Sequence, residues 1–263
     1  ALMNVGQSIR HIHGNADEAN IRSAIKDALA GKLPEATAPK SKVGELAHDG
    51  EVEKALAWLK GKKIGAVGEA PVGFTPCVFD SQQLHKYFGL DVRTITIEDA
   101  FGRIAEVKDD RRELAYAGAL AAQPSLASVN KSEAKKVYGV EVALDDWRAE
   151  ESLDAIAIRC WPEFPTDLGA CICSSLGRLS DRGTVTTCER DVLGAVTMMI
   201  CESLGSDENY LVDIVDLDAA KGLVRLWHCG SAATKLAADP VNATQSTHCN
   251  RKLGVAGNFP LKT

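Results

Sequence analysis

The order of hydrophobic and polar residues predicts alternating helices and strands. Apolar residues recur at helical spacing in seven stretches, 16–29, 51–60, 81–88, 98–106, 111–122, 131–138 and 190–204. Short apolar or β-branched runs predict strands at 63–68, 92–97, 155–158, 184–187, 211–215 and 223–227. The strand–helix–strand order of the middle region indicates an α/β fold class, with a parallel sheet flanked by helices.

Three parts are predicted along the chain. Residues 1–62 are interpreted as the helical end of a preceding α/β domain followed by a linker rich in proline and small residues. Residues 63–150 are predicted to form a flavodoxin-like or Rossmann-like α/β domain, and a boundary near Glu150 separates it from an incomplete α+β domain at 151–263. Neither end of the chain resembles a natural domain end, so we expect a fragment.

Composition and charge narrow the class of protein. The chain has 263 residues, of which 45% are hydrophobic and 25% charged, and these fractions are typical of globular proteins. A net charge of −6 argues against a nucleic-acid or anionic-membrane partner, and no apolar run is long enough to span a bilayer. The start of the chain lacks the pattern of a signal peptide. We therefore predict a cytoplasmic protein whose eight cysteines are reduced.

Two weaker signals concern nucleotides and zinc. The glycine-rich turn at 65–73 follows a predicted strand, but its spacing differs from the dinucleotide-binding pattern and Pro71 removes a backbone N–H. A tight turn between strand and helix is the preferred interpretation. Cysteine and histidine pairs occur at 171–173, 228–229 and 248–249, but their spacing matches no standard zinc motif.

The strongest chemical signal is a set of carboxylates and a histidine near predicted strand ends. Glu189 precedes a helix, whose N-terminus favours negative charge. Asp213 lies within an apolar strand, where a carboxylate is costly to bury unless it is paired or bound to a metal. His228 ends the next strand. Together the three predict a site for manganese or magnesium. The alternative is an exposed Asp213, a helix-start Glu189 and a core histidine.

Several short motifs resemble the L-fucose/L-arabinose isomerase family. They are Cys188-Glu189-Arg190-Asp191-Val192-Leu193-Gly194-Ala195, Val212-Asp213-Ile214-Val215-Asp216 and Leu226-Trp227-His228-Cys229-Gly230, with Cys160-Trp161-Pro162 and the block 65–80. The resemblance covers essentially the whole chain and implies a catalytic domain of the fucose isomerase type in 151–263.

This resemblance implies specific site residues and partners. Glu189 and Asp213 match the metal-binding carboxylates of the family, and His228 matches the histidine of its arabinose branch. His248 is a candidate for a further metal-binding histidine near the C-terminus. The family implies Mn²⁺ as cofactor, with Mg²⁺ or another divalent ion as the alternative. It also implies a free sugar substrate and a homo-oligomer, a trimer or hexamer.

A mechanism follows from these residues. The metal would polarise the sugar's C1 and C2 oxygens, and Glu189 or Asp213 would move a proton between C2 and C1 through an enediol. Trp161, Glu163 and Trp227 are candidates for shaping the sugar pocket, although packing explains Trp227 equally well. Two other classes compete with this hypothesis. One is a non-catalytic sugar-binding or assembly relative, and the other is a nucleotide-binding α/β protein.

Overall fold

The computed structural model describes residues 17–32, 50–218, 221–228, 231–239 and 243–246, and the backbone alone of Thr247 and Val255–Asn258. The chain divides into two compact units. One comprises Ala1–His48 with Ile214–Leu226, and the other comprises Asp49–Asp213 with Trp227–Thr263.

A four-stranded parallel sheet forms the centre of the larger unit. Its strands are β1 (Lys63–Val67), β2 (Asp91–Ile95), β3 (Ala155–Ile158) and β4 (Val185–Thr187). They lie in the order β2-β1-β3-β4, and each neighbouring pair is parallel. β1 and β3 are central and almost completely buried, which agrees with their continuous apolar sequences. The predicted α/β class with a parallel sheet is therefore confirmed.

Helices cover both faces of this sheet. In the larger unit they are α2 (Glu51–Leu59), α3 (Ser81–Phe88), α4 (Ile97–Glu106), α5 (Asp109–Ala122), α6 (Lys131–Glu151), α7 (Cys173–Asp181) and α8 (Val192–Ser203). Alternate strand residues enter different apolar clusters: Ile156 and Ile158 pack with Trp147 of α6, whereas Ala155 and Ala157 pack with Val196 of α8. The two-residue period of the strands thus divides the core into two layers.

Local signals set several helix ends as predicted. The Asp80 carboxylate accepts hydrogen bonds from the backbone N–H groups of Gln82 and Gln83, which caps α3. Gly89, with a φ of 68°, ends the same helix. Thr96 and Asp99 form a reciprocal capping box at the start of α4.

Two helices differ from the sequence prediction. α6 continues to Glu151 instead of ending at Tyr138, because its second half is buried on several sides and therefore lacks an amphipathic pattern. α7 was not predicted at all. Its many small residues give no clear helical pattern of apolar positions, although most of the helix is buried. Gly177 lies so close to the Ala232 carbonyl that a Cβ there would be 2.3 Å from the oxygen.

The remaining described elements are short. β5 (Asp213–Asp218) and β6 (Leu223–Trp227) form a two-stranded sheet, and β7 (Thr244–Thr247) pairs antiparallel with β8 (Val255–Asn258). The smaller unit contains α1 (Ala19–Leu29) and most of the β5–β6 sheet. No helix in the described ranges combines the length and the apolar character that a membrane span requires.

The parallel sheet contains strands from both sides of the boundary predicted near Glu150. β1 and β2 precede that residue, whereas β3 and β4 follow it and extend the same sheet. The larger compact unit accordingly runs through Glu150 without a division. The hydrophobic pattern did not reveal this, because α6 connects the two halves as a single long helix.

Candidate functional site

The carboxyl ends of β1, β3 and β4 meet at one edge of the sheet. β2 lies on one side of β1 and β3 lies on the other, so the direction of winding reverses between β1 and β3. In open α/β sheets, ligands bind in the crevice outside the carboxyl ends of the strands at this reversal. Gly68 and Glu69 follow β1, Arg159 follows β3, and the segment 188–191 follows β4. We therefore take this edge as the candidate site.

A strained turn connects β4 to α8 at this edge. Glu189 and Arg190 have φ angles of 58° and 59°, a left-handed conformation that non-glycine residues rarely adopt. Each such residue costs about 1–3 kcal/mol and persists only where its surroundings hold it. Here the Arg190 N–H donates to the Ile158 carbonyl at 3.0 Å, and the Thr187 hydroxyl donates to the Asp191 carbonyl at 2.8 Å. Strain held in this way is typical of functional sites.

The side chain of Arg190 is buried at this edge of the sheet. The residue is 8% exposed, and its Nε has no hydrogen-bond partner among the described residues. The guanidinium carbon lies 4.8 Å from the centre of the Phe79 ring, and Nη1 lies 3.9 Å from a carboxylate oxygen of Glu69. Burial lowers the pKa of Arg190, and the charge of Glu69 opposes that shift. The guanidinium remains charged, because arginine does not deprotonate in proteins.

The thiol of Cys77 is buried. Burial raises the pKa of Cys77 to about 11, and the negative charges of Asp191 and Glu189 add to the shift, whereas Arg190 opposes it. A thiol with this pKa is protonated at neutral pH and is a poor nucleophile. Cys77 therefore serves as packing rather than as a reactive group.

The loop after β3 contributes a paired arginine and an exposed ring. Arg159 donates from Nε to a Glu163 oxygen at 2.9 Å and makes a second bond from Nη2 to the other oxygen. This two-bond pair fixes both side chains in one plane. The Trp161 ring, 54% exposed, lies in the same loop. The sequence-predicted Trp161 and Glu163 thus belong to a loop that starts at the carboxyl edge of the sheet.

Asp213 and His228 lie further along the chain. A Cβ added to Gly194, near the start of α8, would be 3.2 Å from the Leu211 side chain. Asp213 follows Leu211 by two residues, so the Cα atoms of the two residues are at most about 7 Å apart. His228 is buried, and its ring lies 6.2 Å from that of Tyr210. Trp227, next to it, is half exposed.

For Asp213 the structure matches the alternative of an exposed carboxylate. Asp213 is the first residue of β5, and its side chain and those of Ile214 and Val215 are exposed. The apolar sequence suggested an interior strand, but among the described residues β5 pairs with β6 alone, in a two-stranded sheet whose side chains are largely exposed. Within the described residues, no group of three or more His, Cys, Asp and Glu side chains could hold a metal ion. His248 lies outside those residues.

Sequence reasoning missed several residues of this edge. The sequence motifs include Arg190 without predicting a role for it, and they predict no site role for Glu69, Phe79 or Arg159. One signal could have found Glu69 and Arg159, because both directly follow the carboxyl ends of predicted parallel strands. Phe79 carried no signal, since its contact with Arg190 depends on how the segment between β1 and α3 folds back.

Fold and site together define an α/β protein with charged residues at the carboxyl edge of a parallel sheet. The chain is similar to the sulfoquinovose isomerase of Alkalicoccus urumqiensis, with 34% identity over 232 residues that cover 87% of this chain and 51% of that protein. It is 34% identical to that of Priestia megaterium (strain ATCC 12872 / QMB1551) over 215 residues, 80% of this chain and 47% of that protein. It is also 30% identical to the sulfoquinovose isomerase of Clostridium sp. (strain MSTE9) over 255 residues, which cover 95% of this chain and 56% of that protein.

These similarities limit and correct the sequence interpretation. The chain spans about half the length of the curated relatives it matches. No family model matches it. The resemblance to the L-fucose/L-arabinose isomerase family is contradicted, because sulfoquinovose isomerases form a different family. The motifs behind that resemblance are short, three to eight residues apart from the block 65–80.

Proposed function

We propose that this chain is part of a sugar aldose–ketose isomerase that acts on sulfoquinovose or a closely related sulfonated sugar. The observation that carries the proposal is the 30–34% identity to sulfoquinovose isomerases over 80–95% of the chain. Sulfoquinovose is a glucose whose C6 hydroxyl is replaced by a sulfonate. The residues after β4 support the proposal, because Glu189 is a carboxylate that can move protons and Arg190 is a buried cation that can hold an anion.

The proposed reaction moves hydrogen within one molecule. A carboxylate removes the proton from C2 of the open-chain aldose, and the electron pair of that C–H bond forms the C1–C2 double bond of an enediol while O1 gains a proton. A proton then returns to C1, and O2 becomes the ketose carbonyl as its own proton leaves. Glu189 and Asp213 are the proposed acid and base, and either of them could act first. No external oxidant or reductant is needed.

Metal dependence is a second part of the proposal. Glu189, Asp213 and His228 are the proposed ligands of a divalent ion, Mn²⁺ or Mg²⁺, which would polarise the sugar oxygens. The described residues do not form a three-ligand group, so their geometry does not fit a complete site. We therefore assign no catalytic step to the metal. Its binding has to be measured independently of turnover.

Two exposed tryptophan rings are proposed to contact the sugar. Trp161 can stack on the apolar C–H face of a sugar, and Glu163 with its partner Arg159 presents charged groups to hydroxyls. Trp227 is half exposed and is proposed for the same role. We propose that the protein also assembles as a homo-oligomer.

Paired substitutions test the proposed roles of the two carboxylates. We expect Glu189→Gln and Asp213→Asn each to lower the turnover of sulfoquinovose by about 100-fold or more, because general acid–base groups contribute about 10²–10⁴-fold. The ketose is quantified by NMR, and bound metal by mass spectrometry. Glu53→Gln, which changes an exposed acid on α2, is the control. Near-normal turnover in either variant would remove that residue from the mechanism, and a folded wild-type protein without turnover would point to a non-catalytic relative.

A further inference from the structure

Arg190 is buried and differs from two partly buried arginines of the larger unit, Arg159 and Arg178. Arg159 donates two hydrogen bonds to Glu163, and the Arg178 Nε donates to Glu141 at 2.7 Å. The Nε of Arg190, by contrast, has no hydrogen-bond partner in the described part of the chain. Its nearest carboxylate is that of Glu69, at 3.9 Å, which is beyond hydrogen-bond distance.

A buried charge without hydrogen bonds is unfavourable unless something compensates it. Protein interiors satisfy nearly all buried polar groups, so an exception requires an explanation such as an absent ligand. Glu69 offers little compensation, because its side chain is 85% exposed and exposed ion pairs contribute little. Phe79 lies against the guanidinium, and such contact stabilises the charge without using any N–H donor. The donors of Arg190 therefore remain available to an incoming anion.

The backbone holds Arg190 at the carboxyl edge of the sheet. Arg190 lies directly beyond the carboxyl end of β4, and its N–H is bonded to Ile158 at the end of β3. Its left-handed φ of 59° is strained, which indicates that the fold selects this orientation against local preference. Glu189, the proposed acid or base, is the adjacent residue.

We infer that Arg190 binds the sulfonate group of the sugar substrate. This inference rests on the proposed function, which supplies the sulfonated sugar. A sulfonate presents three equivalent oxygens, and the fork of donors in a guanidinium can bind two of them at once. A glucose hydroxyl would leave the buried charge uncompensated. Arg190 would therefore determine specificity for sulfonated over neutral sugars.

Affinities for two alditols test this inference without turnover. Both 6-deoxy-6-sulfo-D-glucitol and D-glucitol are open-chain and lack a carbonyl, so neither can isomerise. Their dissociation constants are measured by calorimetry on the purified wild-type protein and on Arg190→Met and Arg190→Lys. We expect Arg190→Met to weaken binding of the sulfonated alditol by about 10- to 100-fold, because it removes charge-assisted hydrogen bonds. Arg190→Lys should lose less, and binding of D-glucitol should change less than threefold.

Controls separate this inference from the proposed function. Arg103→Met removes an arginine that pairs with the exposed Glu150 on another helix, and it should bind both alditols as the wild type does. Unchanged binding of the sulfonated alditol by both Arg190 variants, or an equal loss for both alditols, would overturn the inference. If wild-type protein binds the sulfonated alditol through Arg190 but does not isomerise sulfoquinovose, the inference stands and the proposed function fails.

Steady-state kinetics give a second, independent readout. A sulfonate-binding role predicts that Arg190→Lys raises KM for sulfoquinovose while kcat/KM for glucose stays within threefold of the wild type. A role on the enediol would instead lower kcat for both sugars equally, and that result would contradict sulfonate recognition. Melting temperatures of the variants, compared with that of wild type, confirm that the substituted proteins are folded.

Discussion

Substitution of Arg178 and of Arg190 by methionine is expected to change the free energy of unfolding by different amounts. Arg178 pairs with the buried carboxylate of Glu141, so Arg178→Met leaves that acid with Arg182 alone and should cost about 3 kcal/mol of unfolding free energy. Arg190→Met removes a buried charge that lacks hydrogen bonds, so its cost should be below about 1 kcal/mol, or the variant should be more stable. Urea denaturation followed by circular dichroism measures both. Equal losses would show that Arg190 is satisfied in the folded protein.

The strained turn predicts a conflict between stability and activity at Glu189. Glycine adopts a φ of 58° without steric cost, so Glu189→Gly should stabilise the protein by about 1 kcal/mol while it abolishes the proposed isomerisation. Glu189→Ala is the matched comparison, since it also removes the carboxylate but keeps the Cβ strain. The free energies of unfolding obtained from urea denaturation should differ by about 1 kcal/mol between the Gly and Ala variants. If Gly and Ala variants were equally stable, the turn would not be strained.

The individual site residues were predictable to different degrees. The junction between strand and helix at Glu189 followed from the sequence, because a β-branched run preceded a helical pattern and the structure places this residue between β4 and α8. The exposure of Asp213 could not be predicted from the sequence, because an apolar strand has the same sequence pattern whether or not another layer covers it. The Arg190–Phe79 contact joins segments 111 residues apart and depends entirely on tertiary structure.

At the scale of secondary-structure elements, β1 packs closely against its neighbours at Gly65. A Cβ on Gly65 would lie 2.6 Å from the side chains of Leu153 and Trp147, both buried. Gly65→Ala should therefore destabilise the protein by about 1–3 kcal/mol through overpacking. Gly102→Ala is the control, because that helical glycine has open space around its Cβ position and alanine should add about 1 kcal/mol. The measurement is the urea midpoint, and a neutral Gly65→Ala would mean that α6 can move away from the sheet.

The hydrophobic pattern is sufficient to predict some helices and not others. α3 was predicted at both ends because capping by Asp80 and termination by Gly89 are local events. α6 and α7 were shortened or missed because both are buried by neighbours on more than one side, which removes the polar face from the pattern. Helices of this kind are determined by packing, and a single sequence does not reveal what packs against them.

For the molecule as a whole, the sheet determines where chemistry is available. The predicted order of strands and helices correctly implied a parallel sheet, and a parallel sheet brings its carboxyl ends to one edge. The sequence did not imply the order β2-β1-β3-β4, because strand order depends on long-range packing. Without that order, the reversal between β1 and β3 could not be located, and the residues that meet there could not be grouped.

Stability of the whole molecule should fall at alkaline pH through two buried acids. Burial raises the pKa of Tyr138 from 10.0 to about 12, and burial with nearby carboxylates raises the pKa of Cys77 from 9.0 to about 11. The folded state therefore holds these protons more tightly than the unfolded state. Their contributions are fully present below pH 9 for Cys77 and below pH 10 for Tyr138, and they are lost as the pH rises through 11 and 12 respectively.

A tyrosine variant isolates one of these contributions. Tyr138→Phe loses a long hydrogen bond of 3.3 Å to Ser174, so at pH 8 it should be less stable than the wild type by about 1 kcal/mol. Between pH 10 and 12 the wild type alone should lose the tyrosine contribution, about 3 kcal/mol in full, so the variant should become the more stable protein. Urea midpoints at half-unit pH intervals from 8 to 11.5 measure this crossing. A constant difference between the two proteins would mean that Tyr138 titrates equally in the folded and unfolded states, and its burial would then carry no penalty for the phenolate.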